Sequence, residues 1–317
     1  MTDSFVNKVD ISIIIISYNN FHLLEDCIKS IYQFTSGVSY EVIVVDNNSN
    51  EGDVTEITSK FSDVKLIQNS ENKGFAAANN QGFEIAKGEY YLVLNNDTIL
   101  FENAIKQVFD FVSSTNEHIF VGCRLLNSDN SYQESVMEFP SVWNVFTDSF
   151  FLSKIFKKSK FFNKNALSFS LLKEVVEVDV IKGAFMFCNA GDIKELNGFD
   201  EKFYFYSEEL DLCKRFKKRG GKVIYFPEAS IVHVGGATVK RDQLFFYKNQ
   251  AISRIQYFQK HLSGINFILA VTFYYLGIII RIPIYLIMGV VTFNSNYFSK
   301  SMHYFKQLFY YPKNVFN

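Results

Sequence analysis

The apolar run Tyr90-Tyr91-Leu92-Val93-Leu94 ends in Asn95-Asn96-Asp97, which sets two amides and a carboxylate at the tip of a hydrophobic strand. Open α/β sheets bind ligands at the carboxyl ends of their strands, and hard oxygen ligands suit Mg²⁺ or Mn²⁺. Asp97 can therefore hold a divalent cation against a diphosphate, or it can simply cap the following helix. Asp46 closes a second apolar run and begins Asp46-Asn47-Asn48-Ser49, where a carboxylate can accept the imide N–H of uracil or thymine or close a turn. Glu208 and Glu209 open a helix whose Leu212, Cys213 and Phe216 form an apolar face. The helix dipole favours ionised carboxylates there by about 0.3 to 1 kcal/mol, with or without a catalytic task. His233 follows an apolar strand and precedes Gly235-Gly236, a place for a satisfied core ring or for a cation ligand.

The elements that must position these groups read as a parallel α/β unit. Ile11 to Ile16 is a continuous β-branched run of the kind buried on both faces, broken by Ser17-Tyr18-Asn19-Asn20. Leu23, Leu24, Cys27, Ile28 and Ile31 recur at helical spacing, Glu41 to Val45 and Val64 to Ile67 are further strands, and Gly74 to Ala86 is a helix. With Glu89 to Leu94, the first hundred residues give β-α-β-α-β-α-β with polar strand tips. A helix from Phe101 to about Val112 and a strand from Ile119 to Gly122 follow, whereas residues 125–173 carry no clear period. Regularity returns with strands at Val175 to Val180 and Gly183 to Phe187, a helix from Glu208 to Arg219, and two strands, Lys222 to Phe226 and Ile231 to Val234. The basic end of that helix, Lys214 to Arg219 before Gly220-Gly221, reads as a helix C-terminus with its left-handed cap.

With 317 residues and 48% hydrophobic content the chain has ample core, and 32 Lys and Arg against 33 Asp and Glu give no basic field for nucleic acid. Four scattered cysteines without a CxxC pair fit a reducing cytosol, and the start of the chain, with Asp3 and Asp10, lacks the pattern of a secretion signal.

Taken in order, Ser17-Tyr18-Asn19, Asp46-Asn47-Asn48-Ser49, Asn72-Lys73-Gly74-Phe75 with Asn79-Asn80, Asn95-Asn96-Asp97-Thr98, Gly183-Ala184-Phe185-Met186, Gly198-Phe199-Asp200, Glu208-Glu209-Leu210-Asp211 and His233-Val234-Gly235-Gly236 resemble family 2 glycosyltransferases, with bacterial rhamnosyltransferases of cell-surface polysaccharides as the nearest likeness. The likeness spans roughly residues 9–260 and lies in the order and spacing of motifs that are individually short. It implies a GT-A fold, α/β with a Rossmann-like, mostly parallel sheet flanked by helices. It also implies an inverting transfer from a nucleotide-diphosphate sugar, first of all L-rhamnose from dTDP-rhamnose, in cell-surface glycan synthesis. Residue by residue, it places the base at Asp46 and the rest of the nucleotide-sugar site at Ser17, Tyr18, Asn19, Asn48, Lys73, Gly74, Asn79, Asn95, Asn96 and Asp97. The cation, Mn²⁺ or Mg²⁺, falls to Asp97 and His233, and the general base to Glu209, with Glu208 and Asp211 as alternatives. Two departures are visible: Asn95 stands where the family's D-x-D has its first carboxylate, and Glu209 where the family usually has Asp. They motivate a rival reading, a catalytically silent membrane-bound scaffold of the same fold, alongside a transferase using another UDP-sugar. A nucleotidylyltransferase fits less well, as does a processive synthase, since the only Trp is Trp143 and no Q-x-x-R-W motif exists.

After residue 240 the character changes. The expected division is a catalytic domain over 1–240, with a nucleotide half over 1–100 and an acceptor half over 101–240, and a helical membrane-associated region over 241–317. Ile265 to Ile280 and Ile284 to Phe293 are apolar around Arg281 and Pro283, and an arginine at mid-bilayer costs roughly 2.5 to 3.5 kcal/mol on insertion scales. A re-entrant or interfacial hairpin is therefore expected, with basic flanks holding the protein on the cytoplasmic face of the inner membrane. The expected partners are the donor, a polyprenyl-diphosphate-linked saccharide and the membrane surface, with self-association through the tail also open. Lys154, Lys157, Lys158, Lys160 and Lys164 among phenylalanines suit a membrane-surface segment, a diphosphate cradle or a solvated loop.

Overall fold

The computed structural model describes residues 8–156, 159, 161–163, 173–235 and 243–310. The chain divides into two compact units, one formed by Met1–Met137, Phe169–Tyr204 and Glu208–Gly235, the other by Glu138–Ser168, Phe205–Ser207 and Gly236–Asn317. The boundary expected near residue 240 falls among residues outside the description.

The first unit is an α/β sheet built outward from β1 (Ile11–Ser17), whose Ile11, Ile13, Ile14 and Ile15 are fully buried. The chain continues through α1 (Phe21–Phe34), β2 (Tyr40–Asp46), α2 (Thr55–Lys60), β3 (Lys65–Gln68), α3 (Gly74–Ile85) and β4 (Tyr90–Asn95), the alternation read from the sequence. Then come β5 (Thr98–Ile99), α4 (Ala104–Ser113), β6 (Ile119–Leu126), β7 (Tyr132–Gln133) and β8 (Val136–Met137). In the second unit α5 (Val142–Ser149) and α6 (Leu152–Ile155) follow, before the chain returns to the first with β9 (Val176–Val178), β10 (Val180–Ile181), β11 (Phe185–Asn189), α7 (Ala190–Glu195), α8 (Glu208–Lys218) and β12 (Lys222–His233). The large sheet runs β3-β2-β1-β4-β11-β6-β12-β5, with β7 beside β6 and β9 beside β12. Its β3-β2-β1-β4 half is parallel throughout, and β11 enters antiparallel to both β4 and β6.

Register is what makes this sheet a platform. Ser17 pairs with Asp46, Ile16 with Asn95 and Asp46 with Gln68, so the polar tips of four strands end at one level. Close packing of helix on sheet helps hold it: a Cβ on Gly82 of α3 would lie 2.5 Å from Ile14 Cγ2. At the other side of the sheet the two strands expected over 222–234 are one, β12, with a register shift between Phe226 and Ser230. Pro227 lies in that interval and has no N–H to give to a ladder, which suits a bulge and made the strand read as two pieces. The end of β12 pairs antiparallel with β5, His233 opposite Thr98, and Val234 N donates to Asp97 O (2.9 Å). This pairing delivers His233 to the tip of β4.

In the second unit, helix Ile265–Thr292 packs against α5 and against helices Gln243–His261 and Ser295–Gln307, which also pack on each other. The expected break at Arg281 and Pro283 does not occur: one 28-residue helix runs through both. Arg281 is satisfied by protein, its guanidinium donating to Asp148 O (2.7 Å), Gly277 O (3.0 Å) and Ser149 O (3.1 Å). Pro283 forfeits a single backbone hydrogen bond in a long helix. Of the basic stretch, Lys157, Lys158, Lys160 and Lys164 lie outside the described residues, as does Gly236.

Candidate active site

The crevice at the strand tips is laced by side-chain amides and hydroxyls. Asn19 takes a left-handed conformation (φ 60°), its N–H donating to Ser49 Oγ (2.7 Å) while its Oδ1 accepts from Asn50 N (2.9 Å). Asp46, 3% exposed, accepts from Ser49 Oγ (2.5 Å) and Ser49 N (3.0 Å). Each carboxylate oxygen retains a second lone pair, so the turn contact leaves acceptor capacity on this residue. Ser17 is buried behind it, while Tyr18 and Asn48 are exposed at the rim.

Asn47, which the sequence offered only as part of a turn, is the structural knot of this edge. Its Nδ2 donates to Gly74 O (3.0 Å), and its Oδ1 accepts from Asn69 Nδ2 (3.0 Å) and Lys73 N (3.4 Å). Asn69 is in turn doubly bonded to Gln81. Gly74 sits at φ +84°, where a Cβ would lie 2.3 Å from Tyr204 O, and Lys73 beside it is exposed. Asn79 is fully buried, its Nδ2 donating to Phe75 O within α3 (2.9 Å), and Asn96 is half-buried beside Asp97.

Asp97 and His233 lie side by side, His233 Nε2 at 3.2 Å from Asp97 Oδ1. The residue that defines this pair, Gln133, was not singled out in the sequence. Its Nε2 donates to Asn127 Oδ1 and to His233 O, both at 2.9 Å, which fixes the amide so that Oε1 faces the ring. Oε1 can only accept, so His233 Nδ1 carries the hydrogen across 2.5 Å, which leaves Nε2 as the lone-pair nitrogen in the neutral ring, facing Asp97. Asn95 Nδ2 approaches the same nitrogen at 3.3 Å, and Gly235 N donates to Asp97 Oδ2 (3.2 Å). A lone pair and a carboxylate oxygen facing each other at this distance form a donor set for a cation or a shared proton. Among the described residues no group of three or more His, Cys, Asp and Glu side chains is placed to hold a metal ion, so a cation here could take at most these two from the protein's side chains of those types.

The three acidic candidates of α8 separate cleanly. Asp211 is fully buried and accepts from Arg215 Nε (2.7 Å), and Arg215 also ties down the carbonyls of Leu196 and Gly198. Glu208 and Glu209 each hold a buried Oε2 that has no hydrogen-bond partner. Burial raises the pKa of both, and the neighbouring Glu209 charge pushes Glu208 well above the usual carboxylate range. Lys182 draws Glu209 back down. The buried pair therefore holds its protons more tightly than exposed carboxyls do.

The four cysteines are buried and reduced, with Cys27 Sγ donating to Asn95 O (3.6 Å) and its pKa pushed up to about 12 by burial. They act as packing.

The sheet order, a parallel half joined to a mixed one, is that of an α/β fold of the GT-A type. The chain belongs to glycosyl transferase family 2, whose sequence profile matches residues 12–175. It is 26% identical over 231 residues to rhamnosyltransferase WbbL of Escherichia coli strain K12, covering 70% of this chain and 82% of that one. It is 23% identical over 217 residues to the N-acetylglucosaminyl-diphospho-decaprenol L-rhamnosyltransferase of Mycobacterium tuberculosis, covering 63% and 68%. Among solved structures, mannosyltransferase PcManGT from Pyrobaculum calidifontis in complex with GDP-Man and Mn²⁺ superposes with a TM-score of 0.56 at 15% identity, over 96% of this chain and 86% of its own. GalNAc-T7 with UDP, GalNAc and Mn²⁺ gives 0.54 at 16% identity over 72% of this chain, which spans 44% of that protein. These likenesses establish a glycosyltransferase of family 2 on a GT-A fold.

Proposed function

We propose that this glycosyltransferase is inverting and metal-dependent, and that it moves a sugar from a nucleoside-diphosphate donor to a hydroxyl of a lipid-linked saccharide in cell-surface glycan synthesis. L-Rhamnose from dTDP-rhamnose is the first choice of donor, supported by two relatives that are named rhamnosyltransferases. The acceptor class is supported by the decaprenol-linked substrate in the name of the mycobacterial relative.

The observation that carries the reading is the meeting of Asp97 and His233 at 3.2 Å on the strand-tip level that also holds Asp46. Asp46 accepts the base N–H, and Asn96 meets the ribose. Asp97 and His233 would hold the cation, which when bound supplies Lewis-acid charge for a diphosphate leaving group. Glu209 takes the proton of the acceptor hydroxyl as that oxygen forms its bond to the anomeric carbon. The bond from that carbon to the diphosphate breaks on the opposite face, and its electron pair leaves with the nucleotide. Burial and the adjacent Glu209 charge raise the pKa of Glu208, which disfavours a second negative charge beside the incoming oxygen.

Membrane association at the cytoplasmic face completes the proposal. Helix Ile265–Thr292 is long and apolar enough to cross a bilayer and leaves Ile287 and Val291 61% and 71% exposed. A panel of nucleotide sugars with Mn²⁺, read by thermal shift and then by transfer of labelled sugar, tests the reading. A cognate donor at about 100 times its Kd stabilises by roughly 2.7 kcal/mol. Stabilisation without any turnover on lipid-linked acceptors would instead favour the silent scaffold.

A further inference from the structure

The catalytic reading uses none of the basic and amide side chains that gather inside the helical unit. There a cavity of about 450 Å³ is walled by Lys154, Arg254 and Arg281 together with the amides of Asn144, Gln250 and Gln307. That volume lies in the range of small-ligand sites. Three cations face two carboxylates, Glu138 and Asp148, and Asp148 is itself 67% exposed. Arg281, 9% exposed, is clamped by backbone carbonyls and paired with Asp148 Oδ2 at 3.4 Å, so it fixes one wall, while Lys154 and Arg254 supply the excess positive charge. The same helix that lends Ile278 and Arg281 to the cavity turns Ile279, Ile287 and Val291 outward as an apolar strip. A single ligand satisfies both faces if it joins an anionic head to a hydrocarbon chain. Guanidinium forks and amide donors match phosphate oxygens, and an exposed aliphatic face matches a lipid chain.

We infer that this cavity binds the phosphate or diphosphate head of a membrane lipid whose chain lies along the exposed face of helix Ile265–Thr292. The inference deepens the proposed function, because a polyprenyl-diphosphate acceptor carries such a head. It rests on that reading only for which lipid is bound.

Vesicle flotation of the full chain tests it, using phosphatidylcholine vesicles alone or with a few mole per cent of either polyprenyl diphosphate or phosphatidylglycerol. Added diphosphate lipid is expected to tighten binding about ten-fold, and Arg254→Gln to remove that gain. Lys300→Gln, which deletes one charge from the same unit beside Tyr285 and Tyr297 and away from the cavity lining, should keep it. Gln250→Leu removes an amide donor without changing charge and should lose part of the gain, so the result does not hang on one variant. A gain confined to phosphatidylglycerol, and lost in Arg254→Gln, assigns the head to bulk lipid. Equal losses in Arg254→Gln and Lys300→Gln, or none in Arg254→Gln and Gln250→Leu, overturn the inference. Nucleotide-induced thermal shift in the same samples keeps the two readings apart: its absence with lipid binding intact would sink the transferase proposal alone.

Discussion

Replacing Gln133 by leucine should weaken Mn²⁺ binding about 10- to 100-fold, the usual cost of losing the partner that orients a metal-ligating histidine. Gln133 makes three contacts here, at 2.5 Å to His233 Nδ1 and 2.9 Å to each of Asn127 Oδ1 and His233 O. At about 1 kcal/mol net apiece, their loss costs up to roughly 3 kcal/mol of stability, which a domain of this size survives. The affinity loss has a different origin: without Oε1 to accept, the ring no longer prefers the tautomer that aims Nε2 at Asp97. Electron paramagnetic titration of free Mn²⁺ with saturating nucleotide measures the first effect, and urea unfolding the second. In a His233→Ala background Gln133→Leu should leave Mn²⁺ affinity nearly unchanged, because the group it positions is gone. Affinity within about two-fold of wild type, or equal losses in both backgrounds, would refute the reasoning.

Other outcomes follow from the same geometry. Glu208 and Glu209 have folded-state pKa values above the usual glutamate value of 4.5, so the folded chain holds their protons more tightly than the unfolded one. Their contribution to stability is complete below about pH 4.5 and is lost as pH rises through the raised values. Glu208→Gln should therefore stabilise the protein at neutral pH and flatten its urea midpoints across that window; an unchanged pH dependence would show the carboxyl to be solvated. Because Glu209 must be ionised to accept a proton, transfer should rise with pH and reach its plateau above the ordinary carboxylate range, and a rate flat from about pH 4 upward would speak against it. Gly74→Ala forces φ +84° on a residue with a Cβ 2.3 Å from Tyr204 O. It should cost about 1 to 3 kcal/mol in chemical denaturation and weaken donor binding, whereas a neutral result would contradict the close approach.

Strands β1, β2 and β4 were legible because each is a short apolar run that stops at a polar tip, and a buried parallel strand leaves that mark in any sequence. The meeting of Asp97 and His233 was legible only through the order of motifs, since no local pattern tells which strand will pair with Thr98-Ile99. Gln133 left no signal at all: it sits on a two-residue strand in a stretch without period. Nor did the entry to α8, where Tyr206 and Ser207 take left-handed φ of 72° and 68° with no glycine to announce the turn. Arg281 misled because a charge between apolar runs reads as a break when its partners, the carbonyls of Asp148 and Ser149, lie more than a hundred positions away in the chain.

The most direct test of the account is the rate of sugar transfer by Glu209→Gln, measured beside its donor affinity. The geometry predicts a fall in kcat of about 10² to 10⁴ with the donor Kd unchanged. Transfer at near the wild-type rate would contradict it, since no other unpaired carboxylate of α8 is then left to take the proton except Glu208, whose own substitution would have to abolish activity in its place.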